Sequence, residues 1–192
     1  MERAEAAALK SVSLAPDEPD GYWSLAVVRQ WQGEREVSLS QIAHAIELNP
    51  GEADYFFTRG SVLVGLGRPE DGLRDLEHAN RLDSASTHQT LHYMGSAHLF
   101  LGNLENAELM FRERLNYAKN TDVGRAMLVA TLGLLGQVED AKKVWADLLK
   151  LNPEFDIEDR LSKQNYRRAS DLDRIRSGLV AAGVLRGPRM VP

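Results

Sequence analysis

Residues 122–153 read DVGRAMLVATLGLLGQVEDAKKVWADLLKLNP, and their pattern decides the fold. Met127, Leu128, Leu132 and Leu135 recur at helical spacing. After Gly136, so do Ala141, Val144, Trp145 and Leu148. Each stripe predicts an amphipathic helix with one face to bury. Gly136 stands where the first helix must end, because glycine adopts the left-handed conformation that closes a helix without steric cost. Glu139 and Asp140 follow in the first turn of the second helix, where the helix dipole favours negative charge. Pro153 stops that helix, since its ring and missing N–H cannot continue it.

The same hairpin recurs upstream. An apolar helical stretch ends in glycine at Gly33, Gly67, Gly102 and Gly136, at intervals of 34, 35 and 34 residues. A closing Leu-x-Pro appears at Pro16, Pro50 and Pro153, with Leu82-Asp83-Ser84 and Tyr117-Ala118-Lys119 in phase between them. Two independent markers keep one period through four units. Acidic residues follow each glycine at Glu36, Glu70-Asp71, Glu105 and Glu139-Asp140. Small residues recur where paired helices must approach: Ala26, Gly60 and Gly95 in first helices, Gly72, Ala107 and Ala141 in second helices.

A 34-residue period with apolar–Gly, Ala-x3-aromatic (Ala107 to Phe111, Ala141 to Trp145) and a closing Leu-Asn-Pro resembles the tetratricopeptide repeat. The resemblance covers residues 19–153 as units 19–52, 53–87, 88–121 and 122–153. It implies an all-α fold: a right-handed superhelical array of antiparallel helix pairs, here with a C-terminal capping helix. Arg29, Arg59 and Arg125 depart from the pattern, standing where the family often has apolar or aromatic residues.

Residues 1–18 read as the second helix of an earlier unit, because Pro16 keeps the phase. A half-unit at the start is expected of an array cut from a longer chain, or of a short helix that is itself the cap. Its uncovered face would also let one copy dock on another. Residues 154–192 break the period. Phe155, Ile157 and Leu161 suggest a short helix. Ser170 reads as the N-cap of a further helix carrying Leu172, Ile175, Leu179 and Val180 and ended by Gly183, with a loose tail beyond. Residues 166–183 also resemble the closing segment of bacterial multidomain signalling proteins, class III adenylate cyclases among them. That resemblance implies the non-catalytic C-terminal region of an adenylate or guanylate cyclase as the alternative to a free-standing scaffold.

The composition excludes several functions. A net charge of −5 opposes approach to a phosphate backbone, so no nucleic-acid partner is expected. The absence of cysteine removes disulfides, thiolate catalysis and thiolate metal sites. No apolar run reaches the length of a membrane span, and the start of the chain carries no signal-peptide pattern, which makes cytoplasmic the default. His88 and His92 have the spacing of two helical metal ligands but lack the Glu of His-Glu-x-x-His and a third ligand, so they read as groove-lining or solvated. Gly65-Leu66-Gly67 ends a helix instead of opening one, so it is no phosphate loop. The acidic run 154–159 reads as a solvated face. No cofactor, metal or catalytic residue is expected.

In the family the resemblance implies, first helices line the concave face. The residues assigned to it are Trp23, Val27, Gln30 and Trp31 from the first unit and Phe57, Ser61 and Val64 from the second. The third contributes His92, Ser96, Leu99 and Phe100, and the fourth Met127, Ala130 and Leu134. This face is aromatic and apolar, and it lacks the Lys, Arg and Asn with which chaperone relatives clamp a terminal carboxylate. The expected partner is a protein or peptide, and the expected guest a hydrophobic or amphipathic segment held in the groove without chemistry.

Overall fold

The computed structural model describes residues 2–83, 87–162 and 166–185, and these contain helices and turns with no strand. The tail expected at 186–192 lies outside the described residues. The chain forms two compact units, residues 1–86 and 87–192. The first holds α1 (Glu2–Leu14), the pair α2 (Pro19–Trp31) and α3 (Arg35–Leu48), and the pair α4 (Ala53–Gly65) and α5 (Pro69–Leu82). The second holds the pairs α6 (Thr87–Leu101) with α7 (Leu104–Tyr117) and α8 (Asp122–Leu134) with α9 (Val138–Leu151), then α10 (Ile157–Ser162) and α11 (Ala169–Ala181).

The four glycines close their helices in one way. Gly33 has φ +83°, its N–H donates to the Gln30 carbonyl, and the next N–H, of Glu34, donates to the Arg29 carbonyl. Gly67, Gly102 and Gly136 repeat both bonds one, two and three units on. A side chain there would meet the left-handed penalty, and the paired bonds satisfy carbonyls the helix end leaves free. α5 and α7 end at Leu82 and Tyr117, in phase, although no proline follows them.

Within each pair, small residues set the approach. A Cβ on Gly60 would lie 2.8 Å from Leu76 Cγ and 2.9 Å from the Gly72 carbonyl oxygen, so α4 and α5 cross backbone to backbone. A Cβ on Gly95 would stand 2.7 Å from the Phe111 ring. Ala26, Ala107 and Ala141 are fully buried, and the Ala26 carbonyl accepts a hydrogen bond from Ser38 Oγ at 2.7 Å. The three departing arginines each find polar partners. Arg29 pairs with Glu5 and Glu34. Arg59 grips Asp75 with two bonds of 2.6 and 2.8 Å while lying over the Phe56 ring. Arg125 donates to the Thr121 carbonyl.

Two details differ from expectation. Ser170 is not the N-cap of α11; the helix starts at Ala169 with Arg168 as the cap, and the Arg168 side chain makes no capping hydrogen bond. Trp145 is only partly buried, whereas its counterpart Phe111 is fully buried. Phe111 is enclosed in its own pair, against Gly95 and His92, and α8 packs on its helix α7. Among the described residues no helix packs on α9 as α8 does on α7. The Trp145 ring meets the edge of Phe155 instead, at 6.0 Å.

Candidate protein-interaction faces

In the first unit, Trp23, Val27, Gln30 and Trp31 fall on one side of α2, because their spacing follows the helical turn. Hydrogen bonds tie that side to α4. Trp23 Nε1 donates to Thr58 Oγ1 at 2.9 Å, and Gln30 Nε2 donates to Ser61 Oγ at 3.0 Å. Ser61 Oγ in turn donates to the Thr58 carbonyl. Behind this lattice, Tyr55 donates to Asp20 at 2.5 Å, and its ring lies 6.1 Å from that of Trp23. Burial and the Asp20 carboxylate push the Tyr55 hydroxyl well above its ordinary pKa, so it stays a donor. The Trp23 ring is therefore held in place before any guest arrives.

Trp23, Val27, Gln30 and Phe57 remain partly accessible, and Trp31 is 75% exposed. Ser61 is buried as the acceptor for Gln30. Val64 does not belong to this face. It is fully buried in the α4–α5 crossing, where a Cβ on Gly72 would touch it at 2.7 Å. Asp54, three residues before Phe57 on α4, has its pKa raised by burial and by repulsion from Glu52 and Asp83, so one edge of the face is acidic.

The second unit places its assigned residues differently. Ser96, Leu99, Phe100, Met127 and Ala130 are buried, and His92 and Leu134 are half-buried. Over Leu99, Met127 and Ala130 lies α11, which packs chiefly on α8 and touches α6. A Cβ on Gly178 would lie 2.1 Å from the Ala130 carbonyl oxygen, and one on Gly133 would lie 2.0 Å from the Gly178 carbonyl oxygen. The two helices thus meet backbone to backbone. Arg174 Nη1 donates to the Leu99 carbonyl, and the Phe100 ring meets the edge of Tyr166 at 5.0 Å. Met127 shares a small apolar gap with Ile157, Leu161, Tyr166 and Ile175. These positions carry no open groove, because the segment after the last repeat lies on them.

Ser96 Oγ donates to the His92 carbonyl one turn back. Burial, and then the nearby Arg114 charge, hold His92 down to a pKa of about 3, and its enclosed Nδ1 has no partner among the described residues. The ring is neutral at any physiological pH. The His88 carbonyl accepts Arg114 Nε. Among the described residues no group of three or more His, Asp or Glu converges as metal ligands, and no helix is long and apolar enough to cross a membrane.

No family model matches the chain. Solved structures do. YrrB, described as a TPR protein with an unusual peptide-binding site, is similar with a TM-score of 0.68 at 18% identity, over 93% of each chain. PilW, described as a widely conserved type IV pilus biogenesis factor, gives a TM-score of 0.76 at 17% identity, over 94% of this chain and 84% of that one. The fold is that of the tetratricopeptide repeat. Pseudomonas aeruginosa PilF is also similar, with a TM-score of 0.72 at 18% identity over 93% of this chain and 81% of that one. At these identities the likeness is one of fold.

The residues that decide access to the second unit, Gly133 and Gly178, escaped the sequence reading. Neither stands at a repeat-defining position. Their signal is that each sits inside a helix, where glycine costs about 1 kcal/mol relative to alanine and so points to a close approach of backbones.

Proposed function

We propose that the chain is a protein-interaction scaffold, and that its first unit takes an apolar-faced segment of a partner protein across α2 and α4. The observation that carries this reading is the face itself. Trp23 and Gln30 are fixed by hydrogen bonds to α4, while Trp31, two turns on from Trp23, is exposed. Aromatic side chains held in place make good anchors, because little conformational freedom remains to be lost on binding. Asp54, on the same side of α4 as Phe57, favours a guest with a basic flank. The likeness to YrrB, a protein described as having a peptide-binding site, agrees with this class of function. Recognition is by a preformed surface, and no bond is made or broken.

The test is selection of 15-residue peptides from a displayed library on the wild-type chain, followed by titration monitored by tryptophan emission. Trp31→Ala with Phe57→Ala is expected to weaken the selected peptides by about tenfold or more. Undiminished affinity in that double variant would sink the assignment of the face.

A further inference from the structure

α11 does not continue the packing order of the repeats. Where one repeat follows another in this chain, the incoming first helix rests on the preceding second helix, as α4 does on α3 and α8 on α7. First helices touch each other only slightly, as α6 and α8 do. A helix continuing the array would therefore rest on α9. α11 instead rests on α8 and reaches α6, so it lies along the first-helix face of the second unit.

We infer that this face is a seat for a partner helix built like α11, with glycine between two aliphatic residues, and that α11 fills the seat until the partner displaces it. This reading deepens the scaffold function by naming the guest of the second unit and what holds the site closed.

The seat selects by shape. Ile175, Gly178, Leu179 and Ala182 form one buried stripe along α11. The contacts of Gly178 with Ala130 and of Gly133 with Gly178 leave no room for a larger residue at the crossing. Two repeats earlier Ser61 and Val64 stand at the places of Ala130 and Gly133, so the first unit lacks the glycine that lets α11 approach backbone to backbone. A helix like α11 is thereby directed to the second unit and away from the first.

The occupant is also imperfect. Asp171 heads the same stripe and is 2% exposed, and its Oδ2 has no hydrogen-bond partner among the described residues. Arg168 approaches the other oxygen only to 3.9 Å. A buried carboxylate oxygen without a partner weakens the docking of the helix that carries it. A partner helix with an amide or an apolar residue at that place fits the seat better than α11 does, which is what displacement requires.

The probe is a fluorescein-labelled peptide of residues 167–185 carrying Asp171→Asn, titrated by anisotropy into the full chain. Gly178→Leu in the chain should drive α11 off while leaving the seat intact. Ile175→Ala with Leu179→Ala loosens α11 by a second route, in case the first variant misfolds. Hydrogen exchange of the α11 amides reports release in both. Peptide affinity is expected to rise at least about tenfold in either released variant. Adding Gly133→Leu should abolish the gain. Equal affinity in the wild type and in a variant with freely exchanging α11 would overturn the inference. So would α11 amides that stay protected in both variants, since α11 is then a permanent part of the core. Binding lost through Trp31→Ala and Phe57→Ala, but not through Gly133→Leu, would place the guest on the first unit, ending this inference while leaving the scaffold reading standing.

Discussion

Phe111 and Trp145 hold the same place in successive repeats, 34 residues apart, yet truncating them should not cost the same. Phe111 is 0% exposed, and its ring carbons lie 2.7 to 2.9 Å from where a Cβ on Gly95 would stand. Phe111→Ala therefore opens a cavity against a glycine that has no side chain to fill it. The expected loss is about 3–5 kcal/mol. Trp145 is only partly buried, and its ring contact is the edge of Phe155 at 6.0 Å. Two-thirds or more of the roughly 3 kcal/mol that full burial supplies, plus about 0.5–1 for the aromatic pair, gives a loss near 3 kcal/mol for Trp145→Ala, at the lower end of the range for Phe111→Ala. Urea titration followed by far-UV circular dichroism, with linear extrapolation and a check that the slope is unchanged, separates the two. A Trp145→Ala loss equal to or above that of Phe111→Ala would refute the reasoning. It would mean that the segment after α9 covers the last pair as fully as a repeat does.

Two further outcomes follow from buried titratable groups. The unfolded chain takes up a proton on His92 below its ordinary pKa of 6.5, and the folded chain does not until about 3. Stability should therefore fall as pH drops through that window, by about 2 kcal/mol at pH 5 from this group. His92→Leu should flatten the profile between pH 7 and 5 in urea titrations, and parallel profiles for the two proteins would refute the assignment. Asp171 is shifted the other way: burial raises its pKa against the pull of Arg168 and Arg174. The folded state then holds this proton more tightly than the unfolded one, so the ionised group costs stability as pH rises above the ordinary carboxylate range. Asp171→Asn should melt higher than the wild type at pH 7, with the gap closing towards pH 4. A lower melting temperature at pH 7 would show the carboxylate to be stabilising.

The helices and their ends were legible because the cause of each is local. Gly33, Gly67, Gly102 and Gly136 end helices through their own backbone freedom, and the apolar spacing between them repeats at the helical turn. The candidate face was legible only in part. Helical spacing placed Trp23, Val27, Gln30 and Trp31 on one side of α2. It gave no sign that Trp23 and Gln30 would be tied to Thr58 and Ser61, since those bonds join residues more than 30 apart in sequence. Val64 was misassigned because an apolar residue on a first helix reads alike whether it faces a guest or the partner helix. Gly72 opposite it decides the matter.

The sequence by itself determined that this is a repeat of helix pairs and where its helices begin and end. These follow from periodicity and from the conformational limits of glycine and proline, which act within a few residues. Only the tertiary structure decided which faces stay open. Ala130 and Gly133 look alike whether solvent or a helix lies over them. It is the approach of Gly178, from beyond the last repeat, that closes one face while Trp31 on the other unit remains exposed. Occlusion is a property of two surfaces meeting, and no single stretch of sequence carries both.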